Sequence, residues 1–127
     1  MAITLNPARQ TALVAEVSFS WADLTANTGE AAINLPSGAV VTGGAFIVDT
    51  AVTGTGTNTV KVGDSTDDDR YKTGGSATAA LSVTGFRYPE GGSVLIKLNS
   101  GSTSITEGAG RLVVEYIVEG RSNEIQQ

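Results

Sequence analysis

The 127-residue sequence contains no histidine and no cysteine, and it has only one tryptophan and three prolines. Without histidine the chain lacks the usual general base, the commonest metal ligand and the usual pH switch. Without cysteine no disulfide can stabilise the fold, which is consistent with synthesis in the cytosol. These absences disfavour an enzyme and favour a protein that works without a cofactor.

Strong positive charge and long apolar runs are absent as well. The chain has 8 Lys and Arg against 13 Asp and Glu, so its net charge is −5, and an acidic chain is a poor non-specific ligand for nucleic acid or anionic membranes. No apolar run approaches the ~20 residues that cross a bilayer. The N-terminus also lacks the charged and apolar regions of a signal peptide. We therefore expect neither nucleic acid nor a membrane as a partner.

The sequence is instead rich in glycine, serine, threonine and β-branched residues, which form short alternating runs between turn signals. Strands are expected at residues 11–21, 31–35, 38–50, 59–62, 79–88, 93–98 and 111–118, with brief edge strands at 70–72 and 102–106 and a loop at 107–110. This pattern predicts an all-β, single-domain β-sandwich, jelly-roll-like, with about eight strands. We place the β-sandwich domain at residues 11–121, between an N-terminal arm (1–10) and a polar C-terminal tail (122–127).

The longest apolar run, residues 38–50, is apolar on both faces, which is typical of a central strand. We expect it to form a hairpin with residues 59–62 through a Gly/Thr loop. Gly43-Gly44 interrupts the run and predicts a β-bulge or bend. The expected faces are Val40, Thr42, Phe46 and Val48 on one side and Val41, Ala45 and Ile47 on the other.

Three groups of residues are candidates for subunit contacts. In the first and last long strands, Val14, Val113 and Ile117 lie opposite the core face, and pairing of those strands would join them into one exposed apolar patch. Arg and Tyr are enriched at interface hot spots, although an ordinary outward pair beside a turn explains residues 87 and 88 equally well. The N-terminal arm is either a frayed terminus or a latch onto a neighbouring subunit or a host surface. The candidate interface residues are Ile3, Leu5, Val14, Arg87, Tyr88, Val113 and Ile117.

The densest polar cluster is the acidic segment Asp64–Asp69. Closely spaced carboxylates can hold Ca²⁺, but the spacing departs from the EF-hand pattern. Nothing nearby predicts an apolar pocket that would shift a carboxyl pKa for catalysis. The favoured interpretation is a solvated acidic turn, neutralised in part by Arg70 and Lys72, so we assign no metal ligand and no catalytic residue.

Aromatic side chains leave one further possibility open. Trp21, Tyr71 and Tyr88 could stack on a sugar ring, although core packing is favoured for Trp21 because it lies on the apolar face of its strand. A carbohydrate- or receptor-binding module therefore remains an alternative.

Part of the chain resembles a known family. The segment LPSGAVVTGGAFIVDTAVTGTGTNTVKVGDSTDDDRY has a Leu-Pro-x-Gly-Ala-Val-Val start at Leu35–Val41 and a Val-Asp-Thr strand end at Val48–Thr50. A Gly/Thr/Asn hairpin follows at Gly54–Asn58, and then Val-Gly-Asp and an acidic segment that ends in Tyr at Val62–Tyr71. In these features it resembles the small decoration, or cement, proteins encoded beside the major capsid protein in tailed bacteriophages.

The resemblance implies a jelly-roll-like β-sandwich that forms a symmetric homo-oligomer, a trimer or dimer, on the capsid exterior. The implied partner is the major capsid protein, and the implied location is the surface of the virion after synthesis in the host cytoplasm. It implies no catalysis and no cofactor. The expected function is non-enzymatic stabilisation of the shell, and the alternative is a carbohydrate- or receptor-binding β-sandwich of a phage fibre or tail.

Overall fold

The computed structural model describes residues 8–25, 27–54, 58–75, 77–82, 85–100, 105–121 and 124–125. Nearly all of them lie in strands or in the turns between strands. No helix in these ranges has the length and hydropathy needed to cross a membrane. The strands are β1 (Ala8–Arg9), β2 (Leu13–Ser20), β3 (Gly29–Leu35), β4 (Ala39–Gly54), β5 (Asn58–Gly63), β6 (Ala79–Ala80), β7 (Phe86–Tyr88), β8 (Gly92–Ser100), β9 (Ile105–Val118) and β10 (Glu124–Ile125), with a 3₁₀ turn at Trp21–Asp23.

The strands form two antiparallel sheets that enclose the core. The larger sheet has the order β2-β9-β4, and β6 and β7 both pair with the other edge of β4. The smaller sheet has the order β3-β8-β5. The chain crosses from one sheet to the other at β2–β3, β3–β4, β4–β5, β5–β6, β7–β8 and β8–β9, which is the connectivity of a jelly roll. The predicted jelly-roll-like β-sandwich is confirmed.

The predicted hairpin between residues 38–50 and 59–62 was wrong. β4 lies in the larger sheet and β5 in the smaller one, so the connection between them crosses the sandwich. The physical reason is that both edges of β4 are already paired, one with β9 and the other with β6 and β7. The apolar character of both faces indicated correctly that β4 is central, but it carried no information about the partner strand.

The core lies between the sheets and follows the predicted period-two alternation. The inward residues of β5 and β8 are almost completely buried, as are Ile33 and Leu35 of β3 and Leu112 and Val114 of β9, whereas those of β2 are half-buried. The largest side chains with less than 2 % exposure are Tyr71, Ile96, Leu98, Leu112, Val41, Val60, Val62, Val94 and Val114. The sparse aromatic content is therefore compensated by tightly packed aliphatic residues.

The predicted bulge in β4 is confirmed, and it corrects the predicted faces. The register with β9 shifts between Val41 and Gly43, so Val41 and Phe46 both point into the core although their numbers differ by an odd count. Val40 is consequently outward, not on the face of Phe46. Gly44 has φ 143°, and a Cβ there would lie 2.2 Å from the carbonyl oxygen of Val113, so this close approach requires glycine.

Three predicted boundaries differ from the structure. Residues 107–110 were expected to form a loop, but they belong to β9. An edge strand was expected at residues 102–106; residues 105 and 106 also belong to β9, and residues 102–104 lie outside the described residues. The strand expected at 79–88 is divided into β6 and β7. The edge strand expected at 70–72 is a single bridge between Val62 and Lys72. Short pieces at sheet edges lack the repeated alternation on which the prediction depended.

The two described ends of the chain lie together. β1 pairs with β10, and the Gln10 side chain exchanges hydrogen bonds with the backbone of Val118 at 2.7 and 3.0 Å. The proposed division into arm, domain and tail at residues 11 and 121 stays a prediction.

Candidate functional site: the outer face of the larger sheet

Pairing of β2 with β9 brings three of the candidate interface residues onto one surface. Val14 lies opposite Glu115, and Val113 lies opposite Glu16 on β2 and Ala45 on β4. Directly paired residues share a face of the sheet. We call the resulting apolar surface the outer face, and it consists of Val14, Val40, Ala45, Ile47, Val113 and Ile117.

The outer face points away from the core and lies at the surface of the sandwich. Val14 is 63 % exposed, more than any other large hydrophobic residue among those that the structure describes. The other five members are half-buried by one another and by the polar side chains around them. A sheet face with this many aliphatic positions differs from the polar outward face that a solvated antiparallel sheet normally has.

Charged residues border the outer face in pairs. Arg87 forms a two-bonded ion pair with Glu119, and Arg111 forms one with Asp49 at 3.1 and 3.2 Å. The hydrogen bonds from Arg87 lower the pKa of Glu119 from its usual range. These pairs neutralise their own charges locally. Two further carboxylates, Glu16 and Glu115, lie among the aliphatic residues, opposite Val113 and Val14, so the outer face combines apolar side chains with some negative charge.

The remaining candidate interface residues are in different environments. Arg87 lies on the outward side of β7, opposite Val40 and therefore beside the outer face. Tyr88 is only 7 % exposed, and its side chain points into the sandwich, so it is not a surface anchor in the described chain. Ile3 and Leu5 lie outside the described residues.

A second polar site surrounds Asp64, which is 5 % exposed. Its carboxylate accepts hydrogen bonds from the Thr66 hydroxyl at 2.8 Å, from the Asp67 amide at 3.0 Å and from Arg70 Nε at 2.6 Å. Burial alone would raise the pKa of Asp64, but hydrogen bonds from Arg70, Thr66 and Tyr88 outweigh it and hold the pKa well below the usual range. Asp64 was therefore wrongly included in a solvated turn; it anchors the loop that follows it.

Two tyrosines complete this network. Because a carboxylate can only accept, the Tyr88 hydroxyl donates to Asp64 Oδ2 at 2.9 Å, and the Tyr71 hydroxyl then donates to Tyr88. Burial raises the pKa of both tyrosines. The network joins the acidic loop to β7 across the end of the sandwich, and its residues are positioned for structure because each buried polar atom is bonded.

The other acidic residues remain nearer to the predicted solvated state. Carboxylate oxygens of Asp67, Asp68 and Asp69 lie within 4.8 Å of one another. Asp68 is bonded to Lys97 at 3.1 Å and lies 3.8 Å from Lys61, and the Asp67 side chain raises the pKa of Asp69. Lysine pairing already neutralises part of the cluster, so the arrangement has a structural explanation without a cation.

The lysine expected to neutralise the acidic segment does something else. Lys72 is 7 % exposed, and its ammonium group donates to the carbonyl oxygens of Gly74 and Gly75. Burial lowers the pKa of Lys72. Lys97 takes the predicted role toward Asp68. It lies directly opposite Lys61 in the neighbouring strand, and two adjacent outward lysines are a signal that an acidic group lies nearby.

The aromatic residues considered for sugar stacking are largely internal. Tyr71 is 1 % exposed and Tyr88 is 7 % exposed, so neither presents a ring to solvent. Trp21 is half-buried and lines a small apolar cavity with Phe19 and Phe46. Core packing therefore applies to Tyr71 and Tyr88, whereas Trp21 lies in the 3₁₀ turn after β2 and is not one of the residues packed against the core.

Comparisons with known proteins were made for sequence and for fold. No family model and no curated protein matches the sequence. Three solved structures contain chains of similar fold: the cyanophage Pam1 capsid asymmetric unit (24 % identity, TM-score 0.65, 92 % of this chain and 94 % of that chain), the acid-stable capsid of Helicobacter pylori bacteriophage KHP30 (17 %, 0.68, 93 % and 95 %) and the capsid of Ralstonia phage GP4 (18 %, 0.63, 96 % and 92 %). At these identities the likeness shows a shared fold.

Proposed function

We propose that this chain is a non-enzymatic structural protein of a tailed-phage virion, which binds the capsid exterior and stabilises the shell as a decoration protein. The observation that carries the proposal is the fold shared with chains in three phage capsid structures. Each alignment covers at least 92 % of both chains. The matched capsid chains are therefore about as short as this one, as expected for accessory components of a shell.

The outer face supplies suitable chemistry for attachment. Its aliphatic centre would lose water on contact with the major capsid protein, and the bordering ion pairs would remain at the edge, as in a typical protein interface. Proposed contacts from this chain are Val14, Arg87, Val113 and Ile117, together with Ile3 and Leu5 of the arm. Tyr88 is omitted because it is bonded inside the sandwich.

The mechanism requires contact area and rigidity rather than bond chemistry. A sandwich fixed across the joint between capsid subunits resists their separation when packaged DNA presses outward. Many copies would bind one capsid lattice, and each copy would itself be a homo-oligomer. Once one subunit is bound, its neighbours bind at a high effective concentration, so weak individual contacts give a high overall affinity. The protein would be made in the host cytoplasm and would function on the surface of the virion.

Binding to capsids tests this proposal directly. Purified protein is mixed with expanded shells assembled from the major capsid protein of the same phage genome, and co-sedimentation and the disruption temperature of the shells are measured. We expect saturable binding and a higher disruption temperature. Failure to bind expanded shells would overturn the proposal.

Two matched variants locate the contact. Val14→Lys introduces a charge at the most exposed member of the outer face, directly opposite Glu115, where the fold tolerates it. Asn34→Lys introduces the same charge at an exposed position of the smaller sheet. We expect at least a tenfold loss of shell affinity for Val14→Lys and little change for Asn34→Lys. A large loss of shell affinity for Asn34→Lys with little change for Val14→Lys would mean that the contact lies on the smaller sheet.

A further inference from the structure

The two sheets have four edges, and three of them are blunted. β6 and β7 cover one edge in pieces of two and three residues. β3 carries a register irregularity between Ala31 and Ile33. Alongside β5 the chain folds back, because Val62 bridges Lys72 and Val60 donates to the Gly75 carbonyl. Such features are the usual protection against pairing with another chain.

Within the described ranges of the chain, no such feature protects the fourth edge, which is formed by β2. β2 makes eight consecutive pairs with β9 without a register shift, and it ends the strand order of the larger sheet. Its sequence, LVAEVSFS, contains no proline, no lysine and no glycine. A regular strand of this length with one free edge is a template for addition of another strand.

Apolar surface lies beside the same edge. A groove of ≈ 240 Å³ between β2 and β3 is lined in part by Val17, Phe19, Leu24 and Ala32. These inward residues are only half-buried, in contrast to the nearly complete burial of the inward residues on β8. A strand added to β2 would therefore cover core side chains as well as satisfy backbone groups.

We propose that β2 pairs with β2 of a second copy, antiparallel and about a two-fold axis perpendicular to the sheet. The larger sheets of the two copies then become one continuous sheet, and the outer faces lie side by side on one surface. This inference concerns the protein in solution, and it stands whether or not the chain binds capsids.

The sequence of β2 favours a particular register. Two-fold antiparallel pairing keeps outward residues opposite outward residues, so the axis must pass through a residue position. An axis at Glu16 would place two carboxylates opposite each other. An axis at Val17 pairs residues 14–20 of one strand with residues 14–20 of the other. Each Glu16 then lies opposite Ser18 of the second copy, so the two carboxylates no longer face each other. The two Val17 side chains are buried against one another.

This register suggests a substitution that separates pairing from folding. In the chain itself Ser18 lies opposite Arg111, so Ser18→Glu introduces an opposite charge within the sheet and leaves the fold intact. Across the proposed interface the new carboxylate faces Glu16 twice. Adding Glu16→Lys to Ser18→Glu restores two opposite-charge pairs. Ala80→Glu, which introduces the same charge at the exposed β6 edge, serves as the matched control.

Sedimentation equilibrium of the purified full chain measures the result. We expect the wild-type protein and Ala80→Glu to have twice the chain mass, Ser18→Glu to dissociate at least tenfold more readily, and the double variant to recover the dimer. Circular dichroism should show all four folded. A wild-type protein that stays monomeric, forms a trimer, or forms a dimer indifferent to Ser18→Glu would overturn the inference. Capsid binding plays no part in this measurement, so its failure is distinguishable from that of the proposed function.

Discussion

The outward surfaces of the two sheets differ in composition although their inward surfaces are built alike. The larger sheet presents aliphatic residues with Val14 as the most exposed member. The smaller sheet presents mainly polar side chains, with the half-buried Leu95 among them. The acidic loop is held on this sheet by the contacts of Asp68 with Lys97 and Lys61. The outward residues of this sheet include Asn34, Thr59, Lys61, Ser93, Lys97 and Asn99.

This difference shows that the inward and outward positions of alternating strands are under different constraints. Inward positions of both sheets must be apolar because they form the core. The polarity of outward positions depends instead on whether they contact water or protein. On the smaller sheet the outside is water and a loop of the same chain. On the larger sheet the outward valines and isoleucines contribute little to the core, and an exposed apolar surface of this kind is typical of an interaction site.

The largest expected effect comes from removing the anchor of the acidic loop. Asp64→Ala leaves the Arg70 guanidinium and the Tyr88 hydroxyl without their buried acceptor. Breaking a buried ion pair in this way costs about 3 to 5 kcal/mol of unfolding free energy. Urea denaturation followed by tryptophan fluorescence measures the loss.

Asp69→Asn is the matched control in the same loop. The neighbouring Asp67 side chain raises the pKa of Asp69, so neutralising Asp69 removes an unfavourable interaction and should leave stability unchanged or slightly higher. A large loss for Asp69→Asn would mean that the loop is held by the acidic trio and not by Asp64.

A substitution in the bulge of β4 is expected to lower the unfolding free energy by a somewhat smaller amount. Gly44→Ala would place Cβ 2.2 Å from the Val113 carbonyl oxygen at a φ of 143°, and we expect a loss of about 2 to 4 kcal/mol from strain and overpacking. A Cβ at Gly43 meets nothing within 4 Å, so Gly43→Ala should change stability by less than about 1 kcal/mol. Thermal unfolding compares the two, and equal losses would contradict the bulge geometry.

Acid should weaken the side of the sandwich that Asp64 anchors. The folded-state pKa of Asp64 is lowered, so its contribution is complete above the unfolded pKa of about 4 and is lost as pH falls below about 4 toward the folded value. Denaturation midpoints measured between about pH 7 and pH 2 should therefore fall most steeply at the acidic end. In Asp64→Asn the acidic fall should be shallower, although not absent, because Asp68 and Glu119 also have lowered pKa values.

The smallest effect is expected on the outer face itself. Val14→Ser removes a side chain that is 63 % exposed, and the unfolding free energy should change by less than about 0.5 kcal/mol. Phe46→Ser, on the opposite face of the larger sheet and 2 % exposed, should cost several times more because it opens a cavity in the core. Comparable losses for the two variants would show that the outer face is part of the folded core and not a surface kept for a partner.

Periodicity predicted the inward faces well because alternation is a local property. Alternation puts Ile33 and Leu35 on one face of β3 and Val94 and Ile96 on one face of β8, and all four residues are buried. Strand partners are not a local property, which is why the proposed hairpin between β4 and β5 failed. None of the ten strands in the described ranges pairs with its neighbour in sequence.

The buried network around Asp64 was missed for a similar reason. The six polar residues that follow Asp64 made solvent exposure the natural expectation, and Tyr88 comes from a strand far along the chain. Local signals were nevertheless present. Asp64-x-Thr66 is the sequence of an Asx-turn, and Gly63 admits the loop, since a Cβ there would lie 2.1 Å from the Asp67 carbonyl oxygen.

The place of β9 in the sheet has a consequence for the order of events during synthesis. β9 lies between β2 and β4 in the sheet, yet it follows both of them in the chain by a long stretch of sequence. β2 and β4 therefore have no shared partner until β9 has been translated. The larger sheet can close only then, by contacts that span most of the described sequence, and contacts of this kind slow folding.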